Sequence, residues 1–260
     1  MPFEEDKKLM RVATYNIASG HTFETYAQTG KSVFDPMRIA LFIDTLGADV
    51  ITLNEIASQF STEDGTINEV EQIAEHCGYE ASAFARGTVF PPTRDLGNAL
   101  LSKFPILEAR VIPVPAPTEN ERRAGEDDWY EDRAILCCVL AAFGTKIRYI
   151  TTHFGLNPQE KERMMSALCG LLAESEMPTV LSGDFNAPPH AEILKPLYDK
   201  YVNAADAVGA EDSTLCPPME SPMTVDHIFV SRHFEVSEYR VIKRVLSDHY
   251  PCVAQLRLKK

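Results

Sequence analysis

The stretch PTVLSGDFNAPP, residues 178–189, follows a short apolar run with a glycine, an acid and an amide. The run TVLS is typical of a buried strand. Gly183 allows the backbone to turn at the end of this strand, or to approach a neighbouring segment closely. If the chain stays extended for two more residues, Asp184 and Asn186 point to the same side before Pro188 ends the strand. A carboxylate beside an amide can orient a water and a phosphoryl oxygen together, whereas an Asx turn is the alternative interpretation.

Polar or ionisable residues recur at the ends of other predicted strands. They are Asn16 in TYNI, Glu55 in LNEI, His153 in RYITTH, Asp226 in VDHIFV, and Asp248 and His249 in SDHYP. Element ends are where a scaffold presents binding and catalytic groups, so this recurrence predicts a site built from several strands. Because successive strand residues face opposite sides, His227 is expected to point away from Asp226 and to have a structural role.

Hydrophobic periodicity and capping residues predict the remaining elements. The predicted helices are 35–46, capped by Asp35; about 67–77, with a capping box of Thr66 and Glu69; one opened by Asn157, Pro158 and Glu160; and a short one near 191–201. The predicted strands include 9–17, 49–53, 97–101, 106–111, 134–142, 148–153, 225–230, 236–242 and 252–258. Many strands without strict βαβ alternation predict two packed sheets with helices outside. No linker separates two domains, so one domain is expected over 1–260, with a core of about 10–258.

The charge balance disfavours nucleic acid as a partner. The formal net charge is −13, from 25 basic and 38 acidic residues, and the excess acid is spread along the chain. Such a surface repels polyanions at long range, and no segment is more basic than Arg122 and Arg123, which lie among acids. A small phosphate ester held by a metal is compatible with this surface and is the favoured partner.

Cysteine usage and the start of the chain indicate a reducing compartment. The six cysteines fall mostly in apolar segments without metal-ligand spacing, which is typical of reduced, buried thiols. Residues 1–10 resemble neither a signal nor a transit peptide, and no apolar run is long enough to cross a membrane. A cytoplasmic location is expected, with a monomer as the default state.

The chain resembles the endonuclease/exonuclease/phosphatase superfamily, the DNase-I-like metal-dependent phosphoesterases. The segments that carry the resemblance, in the order usual for the family, are TYNIASG, ADVITLNEI, LGNALLSKFPI, EDRAIL, ITTHFG, LSGDFNAPP, VDHIFVS and SDHYP. The resemblance implies an α+β fold, a four-layer αββα sandwich of two mixed sheets with helices outside and the site at one end. Asn54 stands where the family commonly has glutamine, a mild change if it only packs or bonds nearby backbone. The basic and intercalating loops of DNA-repair members are not evident.

The resemblance also implies a metal site. Glu55 would be the carboxylate ligand of Mg²⁺ (or Mn²⁺), a hard ion that prefers oxygen ligands. Asn16 and Asp248 would complete the protein part of the metal shell, and Asn16 would also contact substrate. Taken alone, a strand-end acid such as Glu55 is more often simply solvated.

The remaining roles concern water and phosphate. Asp184 would orient or deprotonate the attacking water, and Asn186 would hold a phosphoryl oxygen. His249 would bind phosphate while Asp226 accepts its other ring proton. The two further candidates are His153, a second phosphate ligand just before the helix whose N-terminal amides favour anions, and Arg133, which could reach substrate or pair with Glu131 or Asp132.

These residues predict a divalent-metal-dependent phosphoesterase that hydrolyses a phosphomonoester or phosphodiester by in-line attack of water. The alternatives are a DNA or RNA nuclease, including the abasic-site type, and a phospholipid phosphodiesterase, although no amphipathic anchor is visible. A non-catalytic binding protein is disfavoured because Glu55, Asp184 and His249 are all present. The segments 19–34, 113–132 and 209–223 are expected to select the substrate.

Overall fold

The computed structural model describes residues 8–62, 65–90, 94–126, 129–216 and 222–259. Within these residues, two mixed β-sheets of eight and six strands form the centre of the molecule. The first sheet has the order β15 (Phe234–Val241), β16 (Cys252–Leu258), β1 (Leu9–Asn16), β4 (Val50–Ile56), β8 (Arg94–Ser102), β5 (Phe60–Thr62) and β6 (Gly65–Ile67), and β7 (Ala81–Phe90) also pairs with β8. The second has the order β13 (Val202–Asn203), β14 (Asp226–Val230), β12 (Thr179–Asp184), β11 (Thr145–His153), β10 (Arg133–Ala142) and β9 (Ile106–Val114).

Smaller elements surround the two sheets. A two-stranded ribbon is formed by β2 (His21–Thr22) and β3 (Val33–Phe34). The α-helices are α1 (Tyr26–Thr29), α2 (Pro36–Thr45), α3 (Glu69–His76), α4 (Pro158–Ala173), α5 (Lys195–Tyr198) and α6 (Ala204–Val208). Short 3₁₀ turns occupy Ala18–Gly20, Glu119–Glu121 and Glu192–Leu194. No helix in the described ranges is both long and apolar enough to span a bilayer.

Alternation along the strands builds the four layers. In β1, Met10 and Val12 belong to the core between the sheets, whereas Ala13 and Tyr15 pack with α2 and α3 on the outside. The second sheet repeats this arrangement. Val180 belongs to the core between the sheets, and Leu181 lies on the outer face, which packs against α4. The period-two pattern of these strands therefore produces the predicted αββα sandwich.

The predicted capping of two helices is confirmed, and that of the third is wrong. Asp35 accepts a hydrogen bond from the amide of residue 38 at the start of α2, and Asn157 and Glu160 form the capping box of α4. The helix predicted from residue 67 begins at Glu69, where Asn68 is the capping residue. Glu69 is fully buried and accepts from the Ala57 amide at 2.8 Å, so the Asn68 cap and this tertiary contact, rather than the predicted box, fix this end.

The helix expected near 191–201 is divided into the 3₁₀ turn Glu192–Leu194 and α5. Pro196 lies in the first turn of α5, where its missing amide hydrogen interrupts no helical bond. The six cysteines are free thiols; four of them are buried, as predicted, whereas Cys77 and Cys169 are half-buried. Burial raises the pKa of Cys138 to about 12, so this thiol is protonated at neutral pH.

Candidate active site

Strand register brings the polar strand ends to one edge of the sandwich. In the parallel pair β1 and β4, Asn16 is opposite Asn54, and in the parallel pair β11 and β12, His153 is opposite Asp184. The antiparallel strand β14 places Asp226 opposite Asp184. The ends of both sheets therefore surround one cavity of about 550 Å³. The predicted site residues in its lining are Glu55, Arg133, His153, Asp184, Asn186, Asp248 and His249.

Asp184 lies at the floor of this cavity and is 1 % exposed. Its Oδ2 atom accepts a hydrogen bond from Asn16 Nδ2 at 3.2 Å. The same oxygen lies 3.6 Å from His153 Nε2 and 3.7 Å from His249 Nε2. Burial, together with the negative charge of Asp226, raises the pKa of Asp184 to about 7. A carboxyl group that titrates near neutrality beneath converging donors is suited to proton transfer.

The approach of β12 to β11 depends on Gly183. Its φ of +146° is unfavourable for other residues, and a Cβ atom there would lie 2.0 Å from the Thr152 carbonyl oxygen. The glycine in the SGDFN stretch therefore permits the close approach that the sequence predicts, and this approach sets the depth of Asp184 in the cavity.

His249 lies between two carboxylates. Its Nδ1 donates to Asp226 Oδ2 at 2.8 Å, the hydrogen bond predicted from the sequence, and its Nε2 faces Asp184. Burial opposes a charge on this ring, but the carboxylates of Asp226 and Asp184 together raise the pKa of His249 well above its ordinary value. The ring is therefore an imidazolium at neutral pH, with an N–H directed into the cavity.

His153 has the opposite charge state. Arg133 Nη1 lies 3.0 Å from His153 Nδ1, and because a guanidinium can only donate, Nδ1 accepts and Nε2 carries the proton. Burial, and then the positive charges of Arg133 and His249, hold the pKa of His153 well below its usual range. Arg133 also pairs with Glu131 at 2.6 Å, so both sequence interpretations of this arginine, cavity contact and acidic partner, are present.

Glu55 and Asp248 offer carboxylate oxygens that fit a hard divalent cation, whereas the Oδ1 atom of Asn16, the third predicted ligand, accepts from the Ala18 amide at 3.0 Å. Glu55 lies at a β-bulge in β4 with φ of +53°, a conformation that turns its side chain towards the cavity. Asn16 Nδ2 donates to Glu55 Oε1 at 3.0 Å. Burial and the negative charge of Asp248 raise the pKa of Glu55, and a cation beside these carboxylates would reverse that effect.

A second group of potential ligands is formed by Asp184, Asp226 and His249, whose ligand atoms lie within 4.8 Å of one another. His249 already donates to Asp226 and supplies one positive charge between the two acids. A dication at this position would have to displace that imidazolium proton. Among the described residues Glu55 and Asp248 form no ion pair, so a cation on the Glu55 side of the cavity would displace no internal charge.

Asn186 reaches the cavity by a route other than the one expected. The strand ends at Asp184, and Asn186 has φ of +46°, so the chain does not stay extended. The Asn186 amide donates to Asp184 Oδ1 at 2.8 Å, which is the Asx turn that the sequence offered as the alternative. Its Nδ2 donates to the Phe154 carbonyl at 2.8 Å, so the turn and the cavity position occur together.

Asn54 forms hydrogen bonds to a second buried side chain and to backbone groups of the other sheet. Its Nδ2 donates to Asn98 Oδ1 at 2.7 Å and to the Thr152 carbonyl at 3.0 Å, and its Oδ1 accepts from the Asp184 amide at 3.0 Å. Asn98 in turn donates to the Ala134 carbonyl at 2.8 Å. Two buried amides therefore connect the first sheet to three strands of the second, directly beneath the cavity floor.

The N-terminus of α4 does not have the role predicted for it. Glu160 Oε2 accepts from the Asn157 amide at 3.3 Å, and its Oε1 accepts from the Glu131 amide at 3.1 Å. The Gln159 amide donates to Glu126 at 3.2 Å. Carboxylates of the chain itself occupy this helix end, so an incoming phosphate would meet negative charge there.

His227 has the structural position expected for it. Its Nε2 lies 2.9 Å from the Ala187 carbonyl and its Nδ1 lies 3.2 Å from Asn203 Nδ2, so both ring nitrogens have partners. The ring contacts Phe185 and Phe229 on the outer face of the second sheet. Asp226, one residue earlier, is fully buried and bonds instead to the His249 ring, which lines the cavity.

Comparison with known proteins identifies the family. The model of the Endonuclease/Exonuclease/phosphatase family matches residues 13–249. The chain belongs to the endonuclease/exonuclease/phosphatase family. Members of this family hydrolyse phosphate esters. A comparison with curated protein sequences finds no match.

Solved structures of the family share the fold. A member from Beutenbergia cavernae has a TM-score of 0.75 at 23% identity, over 96% of this chain and 72% of its own. A mannosyl-6-phosphatase from Bacteroides thetaiotaomicron has a TM-score of 0.67 at 17% identity, over 95% and 99%. ANGEL2, a 2′,3′-cyclic phosphatase, has a TM-score of 0.68 at 17% identity, over 98% and 97%. At these identities the likeness concerns the fold alone.

The residues that support the site without forming it were not predicted from the sequence. Asn98 gave one usable signal, a lone amide inside the apolar run GNALLS. Ser247 opens the SDHYP segment but was given no role; its Oγ donates to the Asn16 carbonyl at 2.8 Å and its amide donates to Tyr15 Oη at 3.1 Å. These bonds fix the chain before Asp248 and His249 against the end of β1.

Proposed function

We propose that this protein is a divalent-metal-dependent phosphoesterase that hydrolyses a phosphomonoester or phosphodiester by in-line attack of water. One observation carries the proposal: the Asp184 carboxylate lies beneath a neutral histidine donor, His153, and a charged one, His249. This arrangement combines a proton acceptor with two N–H groups that can bind phosphoryl oxygens.

Each side chain has a defined task in this proposal. Asp184 orients the attacking water and takes its proton, and the Asn16 amide keeps the carboxylate in position. His249 donates its Nε2–H to a phosphoryl oxygen, with Asp226 fixing the ring. His153 donates its Nε2–H to a second oxygen, because Arg133 occupies its other nitrogen. Asn186 lines the same cavity and offers a further contact.

Glu55 and Asp248, with Asn16 beside them, would hold Mg²⁺ or Mn²⁺. When bound, the ion would neutralise charge on the phosphoryl and leaving oxygens. The acidic character of the lining makes this cation necessary for substrate affinity, since Glu55, Glu131, Glu160, Asp184 and Asp248 all face the cavity. Without it, a phosphate ester would meet more negative than positive charge.

We favour a small ester over nucleic acid. The net charge of −13 repels a duplex, and the basic pair Arg122 and Arg123 is already engaged, by Tyr130 and Glu162 respectively. Two structurally similar proteins are named as phosphatases, a mannosyl-6-phosphatase and a 2′,3′-cyclic phosphatase, which is consistent with hydrolysis of a phosphate ester but does not indicate the organic group of this substrate. Efficient cleavage of plasmid or abasic-site DNA would instead favour the nuclease alternative.

The proposal is tested with a panel of phosphate mono- and diesters, including p-nitrophenyl phosphate and bis-p-nitrophenyl phosphate. Chelator-treated protein should be inactive, and Mg²⁺ or Mn²⁺ should restore hydrolysis. Glu55→Gln should raise the metal concentration needed for half-maximal rescue, whereas Glu75→Gln, on the exposed side of α3, should not. Full activity in excess chelator would contradict metal dependence, and inactivity on every ester with every metal would contradict hydrolysis.

A further inference from the structure

Large apolar side chains surround the mouth of the cavity. Trp129 is 58% exposed, Leu156 is 62% exposed and Met223 is 41% exposed, and all three line the cavity together with the partly buried Phe90. Single exposed apolar residues are ordinary on a protein surface, but several converging on one opening indicate a binding surface. The four residues come from four separate segments of the chain, so a single apolar stretch of sequence does not account for the cluster. We call these four residues the apolar rim.

The positive charge available near the rim is small. Among the described lining residues Arg133 is the one arginine, and it is paired with Glu131; none is a lysine. The three segments outside the described ranges that are nearest to the rim in sequence, 91–93, 127–128 and 217–221, contain no lysine or arginine. Within the described lining, a second phosphate group at the mouth would therefore find no unpaired lysine or arginine.

We propose that the substrate carries a single phosphate group attached to an apolar organic group, an alkyl chain or an unsubstituted ring, which packs on the apolar rim. This inference rests on the proposed function for the phosphate end and on the rim for the other end. The phosphate lies on the acidic, metal-dependent floor, and the organic group extends outward between Trp129 and Leu156. Sugar phosphates and polyphosphorylated compounds fit this mouth poorly, because their polar groups would lose water against apolar side chains.

The rim contains a built-in reporter of binding. Trp129 is the only tryptophan in the chain, so intrinsic tryptophan fluorescence reports on this position alone. The probes are methyl-, propyl- and hexylphosphonate with Mg²⁺, because their C–P bond cannot be hydrolysed by this chemistry. A fully buried methylene corresponds to about a fourfold gain in affinity, and at an open mouth we expect about twofold per methylene. Hexylphosphonate should therefore bind about 30-fold more tightly than methylphosphonate and shift the emission to shorter wavelength.

Two matched variants locate the effect. Leu156→Ala removes an exposed rim side chain and should reduce the dependence on chain length to about tenfold or less. Leu107→Ala removes an equally apolar side chain, 48% exposed on β9 and outside the cavity lining, and should leave the dependence unchanged. Propane-1,3-bisphosphonate should bind more weakly than propylphosphonate. Equal affinities across the alkyl series, equal effects of the two variants, or tighter binding of the bisphosphonate would overturn the inference.

Hydrolysis of the corresponding alkyl phosphates separates this inference from the proposed function. The alcohols released have similar acidity, so differences in kcat/KM report on binding of the chain rather than on the leaving group. Hydrolysis of all esters without length dependence would refute the rim's role and leave the phosphoesterase proposal intact. Length-dependent phosphonate binding without any hydrolysis would support the rim and refute the proposed activity.

Discussion

The floor and the rim of the cavity are built by different means. The floor residues Asp184, His153 and Asp226 are positioned by strand register and are buried, each with named hydrogen-bond or ion-pair partners. The rim residues lie largely on connecting segments, and their apolar side chains are exposed. The rigid sheets thus fix the chemistry, while the connections between strands can vary the substrate without disturbing it. Changes in the floor should affect all substrates alike, and changes in the rim should affect them unequally.

The strongest test of the floor is Asp184→Asn. The substitution keeps the shape and removes the proton acceptor, so kcat should fall by about 10³-fold or more for short and long esters alike. Steady-state kinetics across the alkyl phosphate series measures this, with the exposed Asp44→Asn as the matched control. A loss confined to one substrate, or wild-type kcat, would remove Asp184 from the chemistry.

The second test asks whether Asp226 and His249 act as one unit. Asp226→Asn weakens the hold on the ring and the charge on it, and His249→Ala removes the donor, so each should lower kcat on the order of 10²-fold. Because both changes remove the same function, the double variant should be little worse than His249→Ala. Multiplicative losses in the double-mutant cycle would show that Asp226 and His249 act independently, which would contradict the coupling.

The third test concerns the amides beneath the floor. Asn98→Ala would leave the buried Asn54 Nδ2 with one partner fewer and the Ala134 carbonyl without its donor. The free energy of unfolding should fall by about 2–4 kcal/mol in urea denaturation. Asn120→Ala, at an exposed position, should change it by less than about 0.5 kcal/mol. A small loss for Asn98→Ala would show that the two sheets do not depend on this connection.

The difference between floor and rim also explains what could be predicted from the sequence. Strand patterns predict two packed sheets with helices outside and place Glu55, His153 and Asp184 at strand ends, with His249 just before the last strand. The four-layer αββα order and the single site were implied by the resemblance to the family, because local periodicity does not reveal which strands pair. The turn at Asn186 was left open because an Asx turn and two further extended residues fit the same letters.

Other features depend on contacts that the sequence does not display. Helix α3 begins at Glu69 rather than at residue 67, and Glu69 bonds to a distant amide. The N-terminus of α4 does not offer the predicted anion site, because the Glu160 carboxylate occupies it. Of the apolar rim, Trp129 and Met223 lie in segments expected to select the substrate, but their meeting with Phe90 and Leu156 was not predicted, since Trp129 and Leu156 are 27 positions apart and meet only through the fold. Long-range pairing of loops leaves no period in the sequence.

The last test measures how much the raised pKa of Asp184 destabilises the folded protein as the pH rises. Because the pKa of Asp184 is raised to about 7 from an ordinary 3.8, the folded chain retains a proton that the unfolded chain releases between these values. Proton release by the unfolded state favours unfolding, so this group lowers stability as pH rises from about 4 to 7 and lowers it no further above. The amide that Asp184→Asn introduces does not titrate in this range. In metal-free buffer, the Tm of the variant minus that of the wild type should therefore increase over this range by a few °C and then level off. A Tm difference that stays constant from pH 4 to 8 would show that ionisation of the buried Asp184 carboxyl group costs little free energy. The pKa of Asp184 would then be close to its ordinary value despite the burial.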